Sequence, residues 1–351
     1  MKTLYLIDLE AVESRYTGEW KKFLPERLHK HVTENDLNWN IQIISGTDDI
    51  PNATTPGAFL NFGGTNIYKS SQLIKIAELF CNGSINSGDK FLYTDAWNPT
   101  ILQVKYMSEL LNIPVEIHAL WHAGSYDPQD FLGRLIGDKP WVRHTEKALM
   151  NAIDCNWFAT QFHVDLFKQV FDIEDSKIYI TGWPMEYLNN ILSTENHKED
   201  IILFPHRLAP EKQLEIFKHL ESKLPEYKFI VCQEQNLTKE EYHNLLRKAK
   251  LVFSANLQET LGISCYEGAL SGALPIVPDR LSYKEMYTDL FKYPSVWTES
   301  YESYLEQSDY LVRFIQNKMF MFDAYAKQLP TLTNKLNSFF KCNDLLNKIF
   351  K

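Results

Sequence analysis

The chain has 351 residues, of which 44% are hydrophobic, and a formal net charge of −9. This length exceeds the size at which one hydrophobic core usually stops growing, so two domains are expected. The acidic charge argues against a free-standing nucleic-acid-binding protein, which is usually basic, although it leaves room for a local basic groove. The five cysteines are scattered without a C-x-x-C pair, which predicts reduced thiols and neither a disulfide framework nor a zinc site.

The first ten residues form an apolar run that contains Asp8 and lacks a basic segment and a small-residue cleavage site. We therefore interpret this run as a strand rather than a signal peptide. No stretch approaches the roughly 20 apolar residues that a membrane-spanning helix needs. Basic residues that suggest a membrane-facing patch are confined to positions 21–22 and 29–31. The sequence thus predicts a cytoplasmic protein without stable membrane association.

Apolar runs alternate with helical patterns along the first half of the chain, which predicts parallel βαβ units. Strands are expected at residues 3–9, 39–44, 58–62, 90–94, 115–120 and 157–160. Helices are expected at residues 20–31, 69–79 and 101–111, and a fourth is expected to begin at residue 147. The polar stretch 189–200 then predicts an interdomain linker.

The alternation restarts after this linker. Strands are expected at residues 201–204, 228–231, 251–254 and 274–277, and helices at 213–220, 239–248, 264–270 and from 301 onward. The sequence predicts an α/β fold with two doubly wound, Rossmann-like domains at 1–190 and 191–320. Helices at 321–351 are expected to pack back on the first domain. Ligands of such sheets bind beyond the carboxyl ends of the strands, so functional residues are expected in the loops that follow strands.

The strongest functional pattern lies in the segment 254–267, SANLQETLGISCYE. An apolar strand ends where this segment begins, Glu259 lies in the following loop, and Gly262 permits a tight turn into a helix. The free amides at that helix start form an anion site with the positive end of the helix dipole. Glu267 lies about one turn further along the same face, where its carboxylate can accept hydrogen bonds from a ribose diol.

A second pattern is FPHRLAPEK at residues 204–212, in which Arg207 and Lys212 follow a strand. Two cations at that point suit a diphosphate that gains charge as it leaves. Taken alone, each charged pair is more simply interpreted as solvated surface residues. The occurrence of Glu259 and Glu267 with these cations, at successive strand ends of one α/β half, favours a functional site.

These motifs resemble those of the retaining glycosyltransferases of family 4, which have the GT-B fold of two Rossmann-like domains facing across a cleft. Arg207 and Lys212 match the family's Arg-x4-Lys pair, and Glu259 and Glu267 match its Glu-x7-Glu element. The segments 160–167, 180–184 and 268–277 are also similar to the family. The resemblance covers the stretch from residue 140 to residue 290. It is specific for the fold and the donor class, and not for the acceptor.

The resemblance implies transfer of a sugar from a nucleotide-sugar donor, such as a UDP-sugar, with retention of the anomeric configuration. Arg207 and Lys212 would hold the donor diphosphate, Glu267 the ribose and Glu259 the transferred sugar. The backbone of four residues would contact sugar and phosphate: Leu261, Gly262, Ile263 and Ser264. No Asp-x-Asp motif and no cluster with metal-ligand spacing occurs, so neither a metal nor another cofactor is expected.

In the family, a histidine of the first domain reaches the reaction centre, and His122 at a strand end is the best match, ahead of His118 within the strand. A purely structural histidine remains the alternative for His122. Family members also carry a glycine-rich loop after the first strand, whereas residues 10–18 contain one glycine. Arg15 and Thr17 are candidates to replace it as donor contacts, and an ordinary loop is the alternative.

Two further loops of the first domain follow predicted strands. One carries Asp95 and Trp97, and the other carries Thr65 and Asn66. The first domain faces the acceptor in the GT-B fold, so these residues are candidates for the acceptor site. Structural turns are the alternative interpretation of both loops.

As a whole the chain resembles glycosyltransferases carried by large bacteriophages, some of which modify hydroxymethylated pyrimidines in DNA. Modified duplex DNA is therefore an expected partner, although the acidic charge counts against it. Polysaccharide, protein and small-molecule acceptors stay open. Basic residues of the first domain that would meet DNA are Lys69, Lys105, Arg134, Lys139, Arg143 and Lys147. The alternatives to transfer are a GT-B epimerase, a phosphorylase and a nucleotide-sugar-binding protein without turnover.

Overall fold

The computed structural model describes residues 1–10, 16–51, 53–55, 60–137, 139–194 and 197–351. The chain divides into two compact units. Unit 1 comprises Met1–Met185 and Cys342–Lys351, and unit 2 comprises Glu186–Lys341. The first boundary therefore falls between residues 185 and 186 rather than between the predicted 190 and 191. No helix in these ranges is long and apolar enough to cross a bilayer.

Unit 1 is built on a six-stranded parallel sheet. Its strands are β1 (Lys2–Ile7), β2 (Trp39–Ile44), β3 (Lys90–Tyr93), β4 (Glu116–Leu120), β5 (Cys155–Phe158) and β6 (Ile178–Ile180). Its helices before the boundary are α1 (Tyr16–Glu34), α2 (Phe62–Cys81), α3 (Thr100–Leu110), α4 (Phe131–Ile136), α5 (Pro140–Ala152) and α6 (Gln161–Lys168). The strand order β2-β1-β3-β4-β5-β6 reverses between β1 and β3, which makes this pair the topological switch point of unit 1.

The central strands of unit 1 are mostly apolar and buried because both faces of the sheet are covered there. The last four residues of β1, from Leu4 to Ile7, are all buried, and so are all four residues of β3. Aromatic rings fill much of the core, including Phe91 and Trp121, which are fully buried. Parallel sheets that carry helices on both sides have this pattern, which is why the sequence located these strands.

Unit 2 is built on a five-stranded sheet whose pairs are also parallel. Its strands are β7 (Glu199–Phe204), β8 (Lys228–Val231), β9 (Ala249–Phe253), β10 (Leu274–Pro278) and β11 (Lys292–Tyr293). Its helices are α7 (Leu188–Ile191), α8 (Leu214–Lys223), α9 (Lys239–Lys248), α10 (Ile263–Leu270), α11 (Tyr283–Met286), α12 (Tyr301–Phe320), α13 (Phe322–Ala326) and α14 (Leu329–Leu336). The order β11-β10-β9-β7-β8 reverses between β7 and β9, so the loops that follow these two strands lie at the switch point.

The predicted strand at 58–62 is wrong within the described residues. Residues 58 and 59 lie outside them, and a helix, α2, begins at Phe62. Asn61 caps this helix, because its side-chain oxygen accepts a hydrogen bond from the N–H of Gly64 at 2.8 Å. Gly63 and Gly64, which directly follow the predicted strand, therefore lie in the first turn of a helix.

The C-terminal helices return to unit 1 over a shorter stretch than predicted. Residues 321–341 belong to unit 2, where α14 packs on α10 beside the stacked rings of Tyr266 and Phe340, 3.8 Å apart. The last helix, α15 (Asn343–Ile349), belongs to unit 1. It buries Leu345 completely. The aromatic stack therefore keeps most of the helical tail in unit 2.

Candidate active site

The loops that follow β7 and β9 bring together a buried lysine and a carboxylate. Lys212 Nζ lies 3.3 Å from Glu259 Oε2 and donates a hydrogen bond to the carbonyl oxygen of Gln258 at 2.6 Å. Lys212 itself is only 5% exposed. The two residues are 47 positions apart in sequence and meet because β7 and β9 are neighbours in the parallel sheet. The structure therefore brings these two predicted site residues into contact at the switch point.

Glu259 is held as a carboxylate. Burial raises the pKa of Glu259. The positive charge of Lys212 and a hydrogen bond from the Gly262 N–H lower the pKa by more, so the net shift is downward. Its Oε2 also accepts from the side-chain amide of Asn256 at 2.9 Å. An ionised carboxylate in this position can accept hydrogen bonds from sugar hydroxyls.

Arg207 has a partner that the sequence analysis missed. Its guanidinium forms an ion pair with Glu211, whose side chain is completely buried. Each of the two predicted diphosphate-binding cations therefore contacts its own carboxylate, Arg207 with Glu211 and Lys212 with Glu259. The loops carry balanced charge rather than an uncompensated positive clamp. Only the four-residue spacing of the first pair was available as a signal.

Gly262 turns the chain from the loop into α10. Its φ of 66° lies in the left-handed region, and a Cβ there would lie 2.6 Å from the Tyr283 ring. Both conditions favour glycine. The first amides of a helix have no carbonyl acceptor within the helix, and in α10 these are the amides of Ile263 and Ser264. The next amide, that of Cys265, donates to the Gly262 carbonyl. α10 therefore begins at the position where the sequence predicted an anion-binding helix start.

Glu267 lies one turn into α10 and is 5% exposed. The hydroxyl of Tyr242 donates to its Oε2 at 2.9 Å, and Lys239 Nζ lies 3.9 Å from its Oε1. Both partners come from α9. The sequence predicted the position of Glu267 but not these contacts, since α9 is separated from α10 by a strand.

His206, in the loop after β7, forms hydrogen bonds to residues at and after the end of β9. Its Nε2–H donates to the Phe253 carbonyl at 3.1 Å, which leaves Nδ1 as an acceptor facing the Asn256 amide at 3.4 Å and the Ser264 hydroxyl at 3.5 Å. Burial, followed by the charge of Lys212, lowers the pKa of His206 to about 4. The imidazole is therefore neutral near pH 7. Sequence reasoning did not assign this residue.

Arg280 donates hydrogen bonds to the backbone of the loop after β9. Its Nε donates to the Asn256 carbonyl at 2.8 Å and its Nη2 to the Ala255 carbonyl at 2.6 Å. A third donor, Nη1, reaches the Ser295 carbonyl at 3.1 Å. Burial lowers the pKa of Arg280. The backbone before Glu259 is thereby fixed by a side chain that sequence spacing gave no reason to include.

In unit 1, both ring nitrogens of His122 are engaged. Nε2 donates to the Thr94 carbonyl at 2.6 Å, and Nδ1 lies 2.6 Å from the hydroxyl of Tyr16, from which it accepts. The ring also packs on Trp183, with centroids 4.6 Å apart. This arrangement matches the structural histidine that the sequence left as the alternative to a catalytic one.

The loop that carries Asp95 and Trp97 is an internally bonded turn. Asp95 accepts from the Trp97 N–H at 3.0 Å and pairs with Lys69 at 3.3 Å. The indole N–H of Trp97 donates to Glu146 at 2.8 Å, and this fully buried carboxylate also accepts from the Ser125 N–H and hydroxyl, each at 2.7 Å. Glu146 thus ties the loop after β3 to the loop after β4, and sequence reasoning missed it.

The other predicted residues of unit 1 are placed differently from expectation. Thr65 and Asn66 lie inside α2 rather than in a loop, because Asn61 starts that helix earlier than predicted. Thr17 is buried in α1. Arg15 lies outside the described residues. Thr17, Thr65 and Asn66 therefore lie in helices rather than in the separate loops where they were predicted.

One group among the described residues has the geometry to hold a metal ion: Glu116, His118 and Cys155. The Trp157 indole N–H donates to His118 Nδ1 at 3.1 Å. A neutral imidazole that accepts at Nδ1 carries its proton on Nε2, which lies 2.7 Å from Glu116. That nitrogen has no lone pair for a metal, so this group fits an internal hydrogen-bond network better than a metal site.

The basic residues proposed to meet DNA are partly neutralised. Lys69 pairs with Asp95 and Lys105 lies 3.5 Å from Asp154. Arg143 lies 3.6 Å from the buried Glu146. Three of the six candidate cations therefore have carboxylate neighbours, which reduces the positive surface available to phosphates.

No protein-family model and no curated protein sequence matches the chain. Solved structures match it in fold. Sucrose-phosphate synthase from Thermosynechococcus elongatus aligns over 99% of this chain and 97% of its own, with a TM-score of 0.61 and 11% identity. TarM aligns over 80% of this chain with a TM-score of 0.53 and 15% identity. The pneumococcal O-GlcNAc transferase GtfA, in complex with UDP and GlcNAc, aligns over 80% with a TM-score of 0.52 and 13% identity.

The chain spans 58% of the TarM chain and 60% of the GtfA chain, whereas its match to the sucrose-phosphate synthase covers nearly all of both. At these identities the matches concern the fold. Together with two parallel-sheet α/β units, they confirm the predicted GT-B fold class.

Proposed function

We propose that this chain is a glycosyltransferase that moves a sugar from a nucleotide-sugar donor to a hydroxyl group of an acceptor. The observation that carries the proposal is the meeting of Lys212, Glu259 and the start of α10 at the switch point of unit 2. Open α/β sheets bind their ligands at such points. The GT-B fold, shared with an O-GlcNAc transferase bound to UDP and GlcNAc, supports the same conclusion.

In this proposal, the donor diphosphate binds to the first amides of α10 and to Arg207 and Lys212. Because each cation already contacts a carboxylate, the diphosphate shares the cations with those carboxylates. Glu259 accepts hydrogen bonds from hydroxyls of the transferred sugar, and Glu267 accepts them from the ribose. The hydrogen bonds of the neutral His206 and of Arg280 fix the positions of the two loops.

We further propose that transfer retains the anomeric configuration, which rests on the resemblance to family 4. The bond between the sugar C1 and the diphosphate oxygen breaks with its electron pair on the diphosphate. The acceptor oxygen bonds to C1 on the same face, and its proton passes to the departing phosphate oxygen. Arg207, Lys212 and the helix start stabilise the charge on the diphosphate, so the proposed step requires no metal. The bond-making and bond-breaking events of this step are written without His122, whose ring nitrogens contact Thr94 and Tyr16.

For the acceptor, a hydroxymethylated base in phage DNA remains the specific proposal, supported by the resemblance of the whole chain to phage glycosyltransferases. The pairing of Lys69, Lys105 and Arg143 with carboxylates weighs against it. Polysaccharide, protein and small-molecule hydroxyls are the alternatives that the same donor site would serve.

The test is a thermal-shift screen of the full chain against UDP-, ADP- and GDP-sugars, followed by mass spectrometry with candidate acceptors. The acceptor set includes hydroxymethylcytosine-containing DNA at low and high salt, because phosphate contacts make transfer to DNA fall steeply with salt. A donor-dependent shift with sugar release supports the enzyme. Binding without turnover to any acceptor or to water would indicate a binding protein, and no binding of any donor would overturn the proposal.

A further inference from the structure

The carboxylate of Glu267 is oriented by a neighbouring helix. The Tyr242 hydroxyl donates to Oε2 at 2.9 Å, and the Lys239 ammonium lies 3.9 Å from Oε1. Lys239 and Tyr242 are three residues apart in α9 and therefore share one face of that helix. A capping box between Thr238 and Glu241 fixes the start of α9 and with it the position of both side chains.

We propose that Tyr242 is a positioning residue that orients Glu267 to distinguish ribose from 2′-deoxyribose in the bound nucleotide. The inference rests on the proposed function. The last torsion of a glutamate is broad, so an unconstrained carboxylate presents its oxygens in many directions. A hydrogen bond from Tyr242 to one oxygen removes that freedom. The remaining acceptor capacity is then fixed in space for the two adjacent hydroxyls of a ribose.

The surroundings of Tyr242 suit this role. Burial raises the pKa of its phenol well above the ordinary value, and the charge of Glu267 raises the pKa further. The hydroxyl therefore stays protonated and remains a donor. Cys232 directly follows β8 and also lies close to Glu267. Burial raises the pKa of the Cys232 thiol to about 12, and the negative charge of Glu267 also raises it. Glu267 thus lies close to the end of β8, which neighbours β7, the strand that precedes Lys212.

The test measures nucleotide affinity by calorimetry with UDP, ADP and GDP and with their 2′-deoxy counterparts. Wild-type protein is expected to bind one ribonucleotide about tenfold more tightly than its 2′-deoxy form, the effect of one hydrogen bond to a charged group. In Tyr242→Phe this ratio is expected to fall toward one, with the affinity for the deoxynucleotide unchanged. Tyr310→Phe, an exposed tyrosine of α12, is the matched control and should keep the wild-type ratio.

A double-mutant cycle separates positioning from general support of the fold. If Tyr242 acts through Glu267, then Glu267→Gln should abolish the discrimination by itself, and adding Tyr242→Phe should change nothing more. Pyrophosphate affinity, which depends on Arg207, Lys212 and the start of α10, should be the same in all variants. A loss of pyrophosphate affinity in Tyr242→Phe would reveal a structural effect and would overturn the inference.

The outcomes distinguish the inference from the function on which it rests. If wild-type protein binds a nucleotide and Tyr242→Phe keeps the full preference for ribose, the inference is wrong and the glycosyltransferase proposal stands. Equal binding of ribo- and deoxynucleotides by the wild type has the same meaning. If no nucleotide binds at all, the proposed function fails and the inference fails with it.

Discussion

The switch points of the two units hold their carboxylates differently. In unit 2 a lysine pairs with the carboxylate, whereas in unit 1 uncharged hydroxyl and amide groups donate hydrogen bonds to it. Lys212 contacts Glu259 at 3.3 Å in unit 2. In unit 1, Asp8 follows β1 and accepts from the Tyr68 hydroxyl at 2.6 Å and from the Gln72 amide at 3.1 Å. The net pKa shift of Glu259 is downward, whereas burial raises the pKa of Asp8. Similar strand ends therefore hold their carboxylates in different electrostatic states.

This difference indicates which of the two units is better suited to bind an anionic ligand. An ion pair can exchange one partner for a phosphate, because the cation meets another anion of the same kind. A carboxylate saturated by internal hydroxyl and amide donors gains nothing from such a ligand and fixes the loop instead. The contrast favours the proposed donor site in unit 2 and a structural role for the carboxylate networks of unit 1.

The largest effect should follow from breaking the ion pair of unit 2. Lys212→Met leaves the Glu259 carboxylate, whose side chain is only 19% exposed, without its cation, which costs up to about 3–5 kcal/mol of unfolding free energy. Urea unfolding measures this loss. Lys218→Met is the matched control, because Lys218 pairs with Glu234 at the surface at 3.0 Å, and exposed pairs contribute about 0–1 kcal/mol. Adding Glu259→Gln to Lys212→Met should recover stability without recovering donor binding; a loss equal to that of the control would contradict the pairing.

The second effect concerns pH. The folded-state pKa of His206, about 4, lies below the unfolded value of 6.5, so its contribution to stability is complete above pH 6.5 and is lost as pH falls toward 4. Over that window the loss approaches about 3 kcal/mol. The difference in unfolding free energy between wild type and His206→Gln, measured from pH 7 to pH 4, should shrink accordingly. A difference that stays constant across this range would show that His206 is not buried in its neutral form.

The third effect tests the carboxylate network of unit 1. Glu146→Ala removes the acceptor for the Trp97 indole and for both Ser125 donors, and should lower the unfolding free energy by about 2 kcal/mol. Glu146→Gln keeps one acceptor oxygen and should lower it less. Nucleotide affinity should stay at the wild-type value in both variants, because the proposed donor residues all belong to unit 2. A donor affinity that falls in step with stability would break the division of roles between the units.

The smallest expected effect is that of metal removal. If Arg207, Lys212 and the start of α10 supply the charge stabilisation, transfer rates should be the same with and without excess EDTA. Rates are compared in a sugar-release assay, with added Mg²⁺ or Mn²⁺ as the reverse arm. Loss of activity on chelation that either ion restores would require a metal in the donor site.

Sequence reasoning succeeded where the deciding information is local. The loop after a strand, the glycine turn and the first turn of α10 are contiguous in sequence, so Glu259, Gly262 and Glu267 could be placed without a structure. The α/β alternation predicted the longer strands of both sheets, with one wrong strand at 58–62, and missed short strands such as β6 and β11, which have three and two residues. Such short strands carry too few residues to show an apolar run.

It failed where the partner comes from a distant element. His122 was matched to the family's reaction-centre histidine with a structural role as the alternative, and its hydroxyl partner Tyr16 was missed because it lies 106 positions away, where no spacing rule connects them. Tyr242, 25 positions before Glu267, was missed for the same reason. Thr65 was predicted to lie in a loop after a strand, whereas the cap at Asn61 starts a helix there.

The return of α15 to unit 1 has a consequence for folding during synthesis. Unit 2 is continuous from Glu186 to Lys341, so all of its residues leave the ribosome before Cys342–Lys351, which unit 1 still lacks. The surface that buries Leu345, beside Thr181, therefore stays uncovered for the time needed to translate unit 2. At the usual elongation rate of roughly 5–20 residues per second this takes on the order of 10 seconds. Unit 1, although it is begun first, is completed last.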